Sequence, residues 1–162
     1  MNYSFIAFLE QRLKSDMRLF EYGSGYSTLF YARYVHHVVT VESDREWYEK
    51  INKEKPANVV LLWMPFEKDG DYCRAVSQSD ELFDVIVIDG PDRVRCAKHA
   101  VGSLSPKGII IIDDSEREGY REGLDYLSDQ GFKRIDIDGI KPNSLPMTRT
   151  SIFYRDKNCF DI

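Results

Sequence analysis

Apolar residues come in short runs, separated by polar stretches whose few apolar positions recur at helical spacing. Phe5, Phe8, Leu9 and Leu13 follow that spacing and predict an amphipathic helix over about residues 3–15. RLFEYG reads as a short strand ending in glycine, and Ser27 and Thr28 are placed to cap a helix running to about Tyr34. HVVTVES is apolar and β-branched, hence a buried strand; DREWYEKINKEK follows as a helix with Asp44 as its cap and Pro56 after its end. NVVLLWM is a third strand. From Phe66 to Glu81 the chain is polar and weakly periodic, a loop with a helical turn or two. FDVIVIDG is a fourth strand, and Val94, Ala97, Val101 and Leu104 have the spacing of another helix. GIIIIDD is a fifth strand, and Tyr120, Leu124 and Leu127 mark the helix after it. FKRIDIDGI and TSIFYRD, joined by KPNSLPMTR, close the chain as two strands.

Strand and helix alternate, and the strands are apolar on both faces, so the pattern predicts a parallel α/β sheet covered by helices on each side. The last two strands have no helix between them, and so the final strand is expected antiparallel. An open sheet of this kind binds ligands beyond the carboxyl ends of its strands. That rule places the loops beginning at Gly23, Ser43, Met64, Asp89, Asp113 and Lys141 on the functional edge. His36 and His37 fall on the opposite edge, and His99 lies too far along its helix to reach the cleft.

Composition narrows the class. At 162 residues the chain is expected to form one domain, residues 1–162, with 43% hydrophobic and 30% charged residues. The net charge of -5 argues against a sequence-independent grip on nucleic acid. Cys73, Cys96 and Cys159 are odd in number and lack CxxC spacing, which suggests reduced thiols and a cytoplasmic protein, with Cys96 packing in the core. No signal-peptide layout or apolar run long enough for a membrane span is present. The composition leaves a homo-oligomer open.

The chemistry concentrates at strand ends. Glu21-Tyr-Gly23-Ser24-Gly25 follows the first strand and opens a helix, a setting in which a ligand can touch backbone N–H groups. Glu42 ends the second strand, where a carboxylate can accept both hydroxyls of a ribose. A dinucleotide site would prefer a third glycine where Thr28 stands, and Glu21 would repel a pyrophosphate. An ammonium or a sulfonium would not be repelled.

Acid-x-Gly-x-Gly, an acid ending the second strand and an antiparallel last strand together resemble the class I S-adenosylmethionine-dependent methyltransferases. EYGSGYSTLFYA, VTVESDREWYEKI, FDVIVIDGPDRVRCAKHA, GIIIIDDSEREGY and TSIFYRD are similar to a group of small bacterial proteins of that class. The resemblance implies a Rossmann-like, mostly parallel seven-stranded sheet and S-adenosylmethionine as cofactor. It implies that Gly23 and Gly25 approach the methionine part, that Glu21 helps hold its amino end, and that Glu42 holds the ribose. Ser24, Ser27, Thr28, Ser43 and Asp89 complete the implied cofactor set. Phe66, or Trp63 with Met64, would flank the adenine.

Asp89 and the Asp113-Asp114 pair end neighbouring strands, each after four aliphatic residues, at the floor of the expected cleft. Asp89 or Asp113 could take a proton from the acceptor, or the three could hold a divalent cation. The catechol-type O-methyltransferases are similar here, with an Asn where this chain has Asp114. Arg93 and Arg117 lie in the same two loops. They suit a carboxylate or phosphate of the substrate, with Asp114 beside them, or they fold back to neutralise the acids. Folding back is favoured over a metal, so no metal ligands are assigned. The loop Lys141 to Arg149 forms part of the acceptor pocket. The function so implied is methyl transfer to a small-molecule or sugar-like acceptor, at oxygen. A non-catalytic binding module of the same fold is the alternative, and a NAD-dependent oxidoreductase is disfavoured by Thr28 and Glu21.

Overall fold

The computed structural model describes residues 1–142 and 145–162. Seven strands form one sheet: β1 (Arg18–Tyr22), β2 (His37–Glu42), β3 (Val59–Trp63), β4 (Phe83–Ile88), β5 (Leu104–Ile112), β6 (Lys133–Ile140) and β7 (Met147–Tyr154). Their spatial order is β3-β2-β1-β4-β5-β7-β6. The first five run parallel, and β7 inserts between β5 and β6, antiparallel to both. A short connection cannot return the chain parallel to its neighbour, which forces the β6–β7 pair to be a hairpin.

Among the described residues six α-helices connect and cover the strands: α1 (Tyr3–Glu10), α2 (Tyr26–Tyr31), α3 (Arg45–Glu54), α4 (Asp71–Arg74), α5 (Arg93–Ala100) and α6 (Arg121–Asp129). Strand residues alternate between faces, so each strand contributes to two cores. On one face Phe20, Tyr22, Ile86, Ile88, Ile110 and Ile112 pack against α4, α5 and α6 through Cys73, Cys96, Ala97, Leu124 and Leu127. On the other, Leu19, Val38, Val85, Val87, Ile109, Ile111 and Ile152 pack against α1 and α2 through Phe5, Leu9 and Tyr31. No helix among the described residues is long and apolar enough to cross a membrane.

Three boundaries differ from the sequence pattern. The first helix stops at Glu10, and Leu13 and Met17 reach the core from the turns that follow. The helix after Asp89 stops at Ala100 and gives way to a tight turn, Val101–Ser103. Leu104, at helical spacing, instead starts β5, because Pro106 cannot continue a helix and Leu104 pairs with Phe83. The second helix begins earlier and ends earlier than predicted: Gly25 is its N-cap, and Ser27 and Thr28 lie inside its first turn. Residues 143 and 144 of the loop assigned to the acceptor pocket lie outside the described residues, and β7 already begins at Met147.

Candidate functional site

The parallel ladder carries the polar residues to one edge in register. Beyond the strand ends, Gly23 N donates to Val41 O at 2.9 Å, Asp89 N to Tyr22 O at 3.0 Å, Asp113 N to Ile88 O at 3.2 Å and Met64 N to Glu42 O at 3.0 Å. Alternation then decides where the side chains go. Glu21 follows Leu19, Asp89 follows Val85 and Val87, and Asp113 follows Ile109 and Ile111, so all three acids share the α1/α2 face.

Glu21 is therefore under α2 and not on the cleft surface. It is fully buried, with Ser27 Oγ 2.5 Å from one carboxyl oxygen and Thr28 Oγ1 2.5 Å from the other. Thr28 Oγ1 also accepts from Gly25 N at 3.0 Å, closing the first turn. Burial pushes the Glu21 carboxyl up to about 8, and the two hydroxyls offset part of that shift. The expected direct contact between Glu21 and a cofactor amine has no route through this packing; Ser27 stands between.

The two glycines differ. Gly23 has φ +89°, and a Cβ there would lie 3.0 Å from Gly90 Cα and 3.1 Å from Gly90 N. What comes close to Gly23 is thus the loop after β4. Gly25 is extended, and a Cβ on it would meet only Ser27 Oγ, at 3.9 Å. Nothing among the described residues requires glycine there.

Glu42 is also bound up within the protein. Its Oε2 accepts from Ser24 N (2.7 Å) and Ser24 Oγ (2.9 Å), and its Oε1 from Ser43 N and Asp44 N, both at 2.7 Å. The carboxylate expected to be free for two ribose hydroxyls instead stitches the glycine loop to the loop after β2. A ribose would have to take the place of the Ser24 hydroxyl. Beside it, Trp63, Met64, Pro65 and half-exposed Phe66 line a groove of about 590 Å³.

Across the glycine loop lie the three aspartates, their carboxylate oxygens within 4.8 Å of one another. Asp113 is fully buried; Lys141 Nζ sits 2.8 Å from its Oδ2, the Met1 amino group 3.3 Å, and Thr150 donates to its Oδ1 at 2.5 Å. Burial pushes Asp113 up, but the Met1 ammonium, Lys141 and Thr150 outweigh it and hold the carboxyl at about 2. Asp89 moves the other way, to about 6, raised by burial and by Asp113 and pulled down by Arg93. Asp114, at φ 51°, turns to the opposite side and meets Arg117 at 2.7 Å, Arg93 at 3.7 Å and also Lys141.

Arg93 folds back, as one sequence reading had it, and is buried. It donates to the carbonyls of Gly90 (3.1 Å), Asp89 (3.2 Å) and Asp113, and to Asp89 Oδ1 at 3.0 Å, with Tyr120 stacked at 4.9 Å. So engaged, it has no fork left to grip a substrate, and the expected substrate role is corrected to a structural one. The arginines are not the groups that neutralise Asp113, however. Arg93 opens α5, which packs on the other face of the sheet, and the counter-charge comes from the Met1 amino group and Lys141. The sequence pattern put Lys141 in the loop assigned to the acceptor pocket without pairing it to Asp113, and missed Thr150. Alternation along β7 gives the signal for Thr150, which shares the face of Ile152.

Asp89 and Lys141 floor a chamber of about 340 Å³ walled by Met1, Ile6, Tyr26, Phe30 and Pro142, with Ser27 between this chamber and Glu21. His37 pairs with Arg18 at the opposite end of the sheet, and Cys96 is buried, as expected.

No family model and no curated protein matches the sequence. Solved structures share its fold. An O-methyltransferase from Bacillus cereus in complex with SAH aligns with a TM-score of 0.76 at 18% identity, over 94% of this chain and 80% of that one. The O-methyltransferase TomG from Streptomyces achromogenes, solved with SAM, gives 0.71 at 17%, over 93% and 78%. A tRNA (m1A58) methyltransferase, TrmI from Aquifex aeolicus, gives 0.62 at 15%, over 93% and 67%. The chain has the Rossmann-like topology of class I S-adenosylmethionine methyltransferases. The fold alone does not choose an activity or an acceptor, since O-methyltransferases and a tRNA methyltransferase share it.

Proposed function

We propose that this protein transfers a methyl group from S-adenosylmethionine to an oxygen of a small acceptor. The observation that carries the reading is the pairing of two spaces across one loop. Gly25, with open backbone, follows Ser24, which bonds Glu42, and precedes Tyr26 and Ser27, which line the chamber floored by Asp89. A loop that needs glycine at Gly23 for its own packing, and has glycine at Gly25 without that need, fits a ligand lying against Gly25. Ser24, Ser43 and Phe66 would hold the nucleoside end, and Gly25 with Ser27 the methionine end. When bound, S-adenosylmethionine supplies an electrophilic methyl on a sulfonium.

The chain's own part is alignment and proton removal. Asp89, raised to about 6, is ionised at neutral pH yet basic enough to accept the acceptor's hydroxyl proton. With the cofactor bound, transfer of the methyl to the acceptor oxygen would leave the sulfur with the C–S electron pair, and Asp89 would take the hydroxyl proton. Ile6, Tyr26, Phe30 and Pro142 keep water from competing as acceptor.

Release of S-adenosylhomocysteine from S-adenosylmethionine, screened across hydroxyl compounds, tests the reading. Turnover with at least one acceptor is expected, rising with pH through about 6 and lost in Asp89→Asn with cofactor affinity kept. Cofactor binding without turnover on any acceptor would make this a binding module, and turnover untouched in Asp89→Asn would remove Asp89 as the base.

A further inference from the structure

The three aspartates raise a question of charge. Asp89, Asp113 and Asp114 offer a ligand set of the kind a divalent cation takes, but they do not fit one here. Arg93 pairs with Asp89 and Asp114, Arg117 with Asp114, and Lys141 with Asp113 and Asp114. Three carboxylates meet three side-chain cations, so the cluster is already neutral before the Met1 amino group is counted. A divalent ion would have to expel one of them. Lys141 is the one in an ion's position. It touches both Asp113 and Asp114, it is the first residue past β6, and it lines the chamber together with Asp89.

An ammonium has three hydrogens. One is donated to Asp114 Oδ1; Nζ also lies 2.8 Å from Asp113 Oδ2 as an ion pair, and it has no further partner among the described residues. We propose that Lys141 is the resident cation of this site: it takes the place of a metal and gives a free N–H to the acceptor oxygen as negative charge develops there. This rests on the chamber being the acceptor site, and it narrows the acceptor. A single ammonium polarises an oxygen less than a divalent ion does, so the acceptor must bring an acidic hydroxyl of its own. The apolar walls also favour a flat, largely apolar body over a sugar. A phenolic or enolic oxygen meets both conditions. A sugar hydroxyl meets neither.

Two measurements test this without needing turnover. Mn²⁺ titrated into the wild-type protein and followed by electron paramagnetic resonance should keep its free-ion signal. Binding that EDTA reverses and Asp113→Asn abolishes would overturn the proposal. In the second, 4-nitrophenol is titrated by absorbance with saturating protein. Its apparent pKa should fall by roughly one unit, the fall should vanish in Lys141→Met and should survive in Lys141→Arg. An unshifted pKa with wild-type protein, or an equal shift in Lys141→Met that circular dichroism shows folded, would overturn it. Should Lys141→Met not fold, the Mn²⁺ result and the wild-type shift still decide. Failure of S-adenosylhomocysteine to bind, with both results as expected, would remove the methyltransferase reading and leave the cation assignment standing.

Discussion

Replacing Glu21 with glutamine isolates the energy of keeping a carboxyl under α2. The side chain is fully buried, and its proton is held up to about pH 8 against an ordinary value of 4.5. Between those values the native state binds more protons than the unfolded state, so stability falls as pH rises. Each pH unit above 4.5 is worth 1.36 kcal/mol, which comes to about 3 kcal/mol at pH 7. Glutamine keeps an acceptor for the Ser27 hydroxyl and offers a donor to Thr28 Oγ1, and it has no proton to lose. Urea denaturation at intervals from pH 4.5 to 8.5 should therefore show Glu21→Gln gaining on wild type as pH rises. The gap at pH 7 should be about 3 kcal/mol larger than at pH 4.5, a difference of roughly 6–12 °C in melting temperature for a chain of this size. Any constant offset from the fit of the amide cancels in that slope. Two parallel stability curves would refute the reasoning, because they would mean that Glu21 is ionised in the native state or reaches water.

Three further outcomes follow from the same geometry. Gly23→Ala, at φ +89° and against Gly90, should cost about 1–3 kcal/mol in denaturation experiments, whereas Gly25→Ala should stay within about 0.5 kcal/mol while weakening S-adenosylhomocysteine. Glu42→Ala should lower stability even without ligand, by about 2–3 kcal/mol, since Ser24, Ser43 and Asp44 lose their shared acceptor; unchanged stability would return Glu42 to a purely ligand-facing role. Asp113, held at about 2 against an ordinary 3.8, contributes stability that is present above about pH 4 and lost as pH falls toward 2. Asp113→Asn should flatten that acid limb.

The fold was legible because the central parallel strands end in apolar runs, such as VIVI in β4 and IIII in β5, and the segments between them carry helical spacing. The β6–β7 hairpin could be read from the missing helix, but the insertion of β7 between β5 and β6 could not, since sequence order carries no spatial order. The candidate acids were found because strand ends are where apolar runs stop. Arg93 and Arg117 follow Asp89 and Asp114 along the chain and pair with them in the fold, as their nearness in sequence suggests. Asp113 is the exception, because it faces the other side of the sheet. There Thr150 and Lys141 reach it from 37 and 28 residues away. The same parity puts Glu21 beneath α2, away from the cleft where its place in the motif suggested it would lie. Counting positions in twos along β1, β4, β5 and β7 gives the faces of Glu21, Asp89, Asp113 and Thr150, whereas Lys141, past the end of β6, is placed by the hairpin. The way Glu42 is taken up by Ser24, Ser43 and Asp44 depends on loop conformation and leaves no mark in the pattern.

The central claim is that the edge around Gly25 takes S-adenosylmethionine. Isothermal titration calorimetry of S-adenosylhomocysteine into the wild-type chain tests it most directly, with NAD as the competing ligand. One site per chain for S-adenosylhomocysteine, weakened in Gly25→Ala, and no heat with NAD is the predicted result. Saturable binding of NAD with none of S-adenosylhomocysteine would contradict it.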